Sequence, residues 1–153
     1  MSYDLLVFDP TVAPRNREQF VLWWNAQAEW SEPHGYNDPS VSAPALRNWY
    51  EEIRVQFPNM SLLDPSAPEA DFDNPQLTDY TIGSAAIYAA FRWTIAETAY
   101  DLVRALAVKH QVGFYDVSGD EGDGEVYFPG DVLRSPSGGA WRQVASDFRK
   151  FEE

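Results

Sequence analysis

No cysteine occurs in this chain. Its absence removes disulfides, thiolate-held zinc, iron–sulfur clusters and thiol nucleophiles together. Histidine is almost as scarce: only His34 and His110 are present, and neither stands in an H-E-x-x-H or similar frame. A metal site or catalytic group built on several imidazoles is therefore out of reach. Positive charge is also short, with 11 Lys and Arg against 24 Asp and Glu and a net charge of −13. Such a surface repels phosphates, so neither nucleic acid nor anionic membrane is an expected partner. Long apolar runs are missing too. The run near the N-terminus reaches only from Leu5 to Phe8, too short for a secretory h-region or for the roughly 20 residues of a membrane span. A soluble cytoplasmic protein is the expectation.

What is present in quantity is core material. Of the 153 residues 44% are hydrophobic, including six Trp, eight Tyr and nine Phe. A chain of that length and composition buries about two-thirds of its unfolded surface without a metal or disulfide. Eleven prolines do not make it disordered, because low hydrophobicity is what marks disorder.

The elements follow from periodicity and punctuation. "YDLLVF" (3–8) reads as a strand buried on both faces. "NREQFVLWWNAQAEW" (16–30) reads as a helix capped by Asn16, with Phe20, Trp24 and Ala28 on one face. A second helix follows Ser42 as cap and Pro44 in the first turn, and Pro58 stops it. After a long Pro-rich loop, "DYTIG" and "AIYAAFRW" are two strands turning at Gly83–Ser84. Thr94 and Glu97 match a capping box for a helix running to about His110. "VGFYDVS" and "EVYF" are two closing strands, and "AWRQVASDFRKFEE" is an amphipathic helix on Trp141, Val144, Phe148 and Phe151. The order β-α-α-β-β-α-β-β-α predicts an α+β fold: a mixed or antiparallel sheet with helices on one face. Its core is ferredoxin-like, with an extra helix, a closing hairpin and a C-terminal helix. Residues 1–133 form one domain, and 134–153 supply a linker and the helix that packs on it.

The segment "YDVSGDEGDGEVYF" concentrates the carboxylates Asp116, Asp120, Glu121, Asp123 and Glu125 with no Lys or Arg among them. A calcium loop needs oxygen ligands at positions 1, 3 and 5, Gly at 6 and Glu at 12. Starting at Asp116 puts Glu121 at the Gly position and Tyr127 at the closing Glu. Starting at Asp120 puts Gly122 and Gly124 on ligand positions. Neither register works. Paired-carboxylate catalysis requires burial to raise one pKa, whereas a tip reading GDEGDG leaves its carboxylates solvated. No G-x-S-x-G elbow is present. No catalytic residue, metal or cofactor is assigned from these patterns, and the secure reading of the tip is a hairpin turn.

Charge distribution says more. There is no Lys or Arg from Val55 to Phe91, where Asp64, Glu69, Asp71, Asp73 and Asp79 lie, and none from Gln111 to Leu133. Arg134, Arg142, Arg149 and Lys150 return in the tail. If the two acidic segments meet in space, Asp71, Asp73, Asp116, Asp120, Glu121, Asp123 and Glu125 make one negative face for a basic partner. A competing reading places a small-molecule pocket or small active site around His34, Tyr36 and Asp38, with His34 as acid or base and Asp38 orienting it.

The stretches "YDLLVFDP", "WSEPHGYNDPS" with "PALRNWYEEI", "TDYTIGSAAIYAAFRW" and "AYDLVRALAVKHQVGFYDVS" resemble a family of small, acidic, largely uncharacterised bacterial proteins. Some of those look like immunity proteins paired with secreted or contact-delivered toxins. The likeness covers about residues 2–128 and carries no catalytic motif. It implies an immunity role without naming the toxin; joined to the acidic segments, the expectation is a chain that blocks a basic toxin, such as a nuclease, sterically and electrostatically.

Overall fold

β1 (Tyr3–Phe8) has buried side chains at consecutive positions, Leu5, Leu6, Val7 and Phe8. Since alternate residues of a strand face opposite sides, this segment needs cover on both. The rest of the fold supplies it. The computed structural model describes residues 2–64, 66, 73–118 and 125–133, the last three in backbone only. Along the chain follow α1 (Arg17–Gln27), α2 (Pro44–Gln56), β2 (Asp79–Ile82), β3 (Ala86–Phe91), α3 (Ala96–His110), β4 (Gly113–Tyr115), β5 (Val126–Phe128) and β6 (Asp131–Leu133).

The strands form one sheet in the order β2-β3-β1-β4-β5-β6, every neighbouring pair antiparallel. This is an α+β fold. Its first four strands, with helices after β1 and β3, have the expected ferredoxin-like arrangement. Tyr3, Leu5 and Val7 join Leu46, Trp49 and Ile53 of α2 and Ala99, Val103 and Leu106 of α3 in the larger core. Leu6 and Phe8 join Phe20 and Trp24 of α1, with Tyr115, Val126 and Phe128, in a second cluster. Thus α2 and α3 share one face as expected, but the expectation of helices on one face only is corrected: the extra helix α1 seals the other, because Leu6 and Phe8 need cover there. Phe20 is the centre of that seal, with its ring 4.9 Å from Phe8 and 5.2 Å from Tyr115. Burying a side chain of this size is worth about 1.5–3 kcal/mol.

Local signals succeed where the chemistry is local. Asn16 caps α1 as expected, its Oδ1 accepting from Gln19 N–H at 3.1 Å. Two other expected caps are corrected. At α2 the cap position is Ala43, with no side-chain bond, and Ser42 instead donates its hydroxyl to Gly83 O at 2.7 Å. The partner lies in the β2–β3 turn, so a tertiary bond has displaced the local one. Before α3, Thr94 lies inside a 3₁₀ turn (Trp93–Ile95), whereas a capping residue needs an extended backbone. Ile95 occupies the cap without a side-chain bond. β6 was not expected. Gly130, at φ +89°, turns the chain so that Asp131 pairs with Phe128. The anticipated C-terminal helix lies outside the described residues.

The long loop between α2 and β2 is pinned at its base. Met60 N–H donates to Thr78 O and Thr78 N–H to Pro58 O, both at 2.9 Å. Asn59 is buried there, donating through Nδ2 to Tyr50 OH at 3.2 Å.

Candidate partner-binding face

Strand direction decides which loops can act together. Asp79, the first residue of β2, pairs with Ala90 near the end of β3, and Ala90 pairs with Asp4 near the start of β1. The β1–β4 pairing then continues past β4, where Ser118 N–H donates to Asp4 O at 3.1 Å and Asp4 N–H to Ser118 Oγ at 2.8 Å. Asp116 N–H donates to Glu125 O at 2.9 Å. The loop entering β2 and the connection leaving β4 therefore emerge from one end of the sheet. From β2 to β4 is three strand spacings, about 14 Å. The described parts of the two acidic segments, at Asp79 and at Asp116, thus lie at the same end of the sheet although they are 37 positions apart in the chain.

The individual carboxylates are not equivalent. Asp116 is only 3% exposed, so it is withdrawn from the surface on which it was expected. Glu125 is engaged within the chain: Oε1 accepts from Tyr100 OH and from Arg104 Nε, both at 2.8 Å, and Oε2 accepts from Arg104 Nη2 at 3.4 Å. The guanidinium also lies over the Tyr127 ring, 5.2 Å from its centroid. Burial, then the bond to Glu125, pushes the Tyr100 phenol above its ordinary range. The hydrogen bond to Glu125 likewise raises Arg104 further. Glu125 thus adds little free negative charge, because α3 neutralises it. Asp73 is exposed, and its carbonyl accepts from Arg92 Nη1 at 3.4 Å. Asp71, Asp120, Glu121 and Asp123 lie outside the described residues.

Three further carboxylates lie at this end; Asp64 and Asp79 belong to the acidic segment read from the sequence, and only Asp4 was missed. Asp64 is exposed, and its Oδ1 accepts from Ser66 Oγ at 2.7 Å and Ser66 N–H at 2.9 Å, which holds it below the usual carboxylate range. Asp4 and Asp79 flank Ala90 on one sheet face, and the Tyr88 hydroxyl donates to Asp4. Burial, then that bond, pushes the Tyr88 phenol upward. The signal for Asp4 was available: it is the single charged residue inside an otherwise apolar strand.

The competing cluster has a different geometry. His34 Nε2 meets Glu32 Oε1 at 2.7 Å, and Nδ1 meets Gly35 O at 2.7 Å. Glu32 Oε1 also accepts from Ser84 N–H at 3.1 Å, in the β2–β3 turn. The carboxylate that orients His34 is therefore Glu32. Asp38 turns away to accept from Ser40 N–H at 2.9 Å, capping a 3₁₀ turn. Tyr36 OH accepts from Glu32 N–H at 2.7 Å and its carbonyl from Ile82 N–H at 2.9 Å. The Gly35 carbonyl, then Glu32, raises the His34 pKa. Burial alone would raise Glu32, but the hydrogen bonds from His34 and Ser84 outweigh it and lower it. This arrangement fastens residues 30–38 to the edge of the sheet. His110 is similarly tied, with Nε2 2.8 Å from Glu52 Oε1.

Among the described residues no three or more His, Asp or Glu side chains are placed to hold a metal ion, and no helix is long and apolar enough to cross a membrane. No family model matches the chain, and neither a curated protein nor a solved structure does.

Proposed function

We propose that this chain is a cytoplasmic immunity-type protein that binds a basic bacterial toxin, such as a nuclease, and blocks it without chemistry. The observation that supports this most is the emergence of both acidic segments from one end of the sheet. Carboxylates gathered at one end attract a basic partner at range and steer its approach, which raises association rates 10- to 10³-fold at low salt. The described part of the face comprises Asp64, Asp73, Asp4 and Asp79; the proposal also assigns partner contact to Asp71, Asp120, Glu121 and Asp123, which lie outside the described residues. A small-molecule or enzymatic role at His34 draws less support, since both ring nitrogens already serve the loop.

The test is capture from the native host with wild-type protein and with the triple variant Asp120→Lys, Glu121→Lys, Asp123→Lys. A basic protein held by the wild type should associate with the variant at least tenfold more slowly at low salt. Equal association rates for the two would remove this surface from the mechanism.

A further inference from the structure

The corner where the end of α2 meets the 3₁₀ turn Met60–Leu62 carries large apolar side chains in water. Val55 is 78% exposed, Leu62 66% and Met60 41%. Beside them a cleft of about 200 Å³ opens over Tyr50, walled by Arg54, Pro58, Asn59, Leu62 and Leu63. Its floor is built in advance. Tyr50 accepts from Asn59 Nδ2, Asn59 Oδ1 accepts from Ser61 N–H at 3.0 Å, and the Tyr80 ring meets Tyr50 edge-on at 5.3 Å. Tyr80 OH in turn donates to Phe57 O at 2.8 Å, so the end of α2 is held against the sheet.

Size and charge together identify the occupant. Small-molecule sites span about 300–1,000 Å³, so this cleft suits a single side chain better than a metabolite. Arg54 is paired with Glu51 at 2.9 Å, and no Lys or Arg follows it until Arg92. The same stretch carries the exposed Asp64, directly after the cleft-lining Leu63, and enters the acidic end of the sheet. Apolar surface rimmed by charge is the pattern of a protein interface, where a few buried anchors supply most of the affinity.

We infer that this cleft is the anchor pocket of a protein interface: it takes one large apolar side chain from a basic segment of a partner protein, whose flanking Lys or Arg face Asp64, the residue after the cleft-lining Leu63. The inference rests on the proposed binding of a basic protein and adds where the apolar anchor enters. Acid steers the partner; the cleft holds it.

Three fluorescent peptides of equal length test this by anisotropy at low salt: a Lys-rich peptide with a central Phe, the same peptide with Ser for Phe, and the Phe peptide with Glu for every Lys. The Lys–Phe peptide should bind on the order of 30-fold more tightly than Lys–Ser, the ratio of one anchor hot spot. Amide shifts should centre on Leu62 and Leu63. Leu62→Ser, at an exposed position that leaves the core intact, should reduce the preference several-fold. Equal binding of the Lys–Phe and Lys–Ser peptides overturns the anchor while leaving the acidic face standing. Equal binding of Glu–Phe overturns the assignment of a basic segment. Binding of none of the three overturns the pocket altogether, and the charge-reversal capture then judges the proposed function separately. Self-association of the wild type that Leu62→Ser abolishes assigns the cleft to a second copy and overturns the inference.

Discussion

Glu125→Gln separates structural from partner-facing acid most cleanly. Glu125 accepts three charge-assisted or phenolic bonds, and its side chain is 21% exposed against 30% for Arg104. A hydrogen bond to a charged group contributes about 1.5–3 kcal/mol when dry, and exposed ion pairs contribute about 0.2–1. This partly exposed pair falls between, so losing the charge should cost about 1–2 kcal/mol. For a domain of this size that lowers the melting temperature by roughly 2–8 °C, at about 2–4 °C per kcal/mol. Urea denaturation of Glu125→Gln, Arg104→Met and the double variant supplies a mutant cycle, with an expected coupling of about 1 kcal/mol. The double variant should be less damaged than the sum of the singles, because Glu125→Gln removes the charge that Arg104 was placed to meet. Additivity within about 0.3 kcal/mol would show that the pair contributes nothing, and Glu125 would return to the set of free acidic residues.

Other expectations follow from particular contacts. Because the His34 pKa is raised in the folded state, the His34–Glu32 lock is complete below the ordinary imidazole value of 6.5 and is lost as pH rises through the folded pKa. Glu32 is lowered, so its contribution is present above 4.5 and lost as pH falls through its folded value; the lock is strongest between these limits. Proton NMR should find the His34 midpoint above 6.5, moving down in Glu32→Gln, and an unmoved midpoint would contradict the pairing. Gly113 faces Phe8 across β1 and β4, and a Cβ there would overlap the Phe8 ring. Gly113→Ala should therefore cost about 1–3 kcal/mol of overpacking in thermal melts, and an unchanged melt would show that Phe8 can move aside. Ser42→Ala strands the buried Gly83 carbonyl and should cost about 1–3 kcal/mol in urea denaturation. If instead only α2 frays in hydrogen exchange, Ser42 is acting as the helix cap.

Several elements were legible because their determinants lie within a few residues of one another. The apolar run 3–8, the Asn16 cap, the turn at Gly83–Ser84 and the end of α3 at His110 are short-range chemistry, and each stands where its pattern placed it. The two misplaced caps share a cause. Ser42 and Thr94 are good capping residues locally, but a bond to Gly83 and a 3₁₀ turn compete for them. β6 escaped notice because three residues give no periodicity.

The acidic end shows the division most clearly. Composition and spacing alone set the excess of negative charge, the two segments free of Lys and Arg, and the unsuitability of 116–125 as a calcium loop. Which carboxylates face water depended on partners far along the chain. Glu125 is taken by Arg104, Asp116 is buried, and Asp4 and Asp79 are brought to one row through Ala90. Register and strand direction determine that grouping, and both arise from packing β1 between two cores. No window of neighbouring residues contains that information.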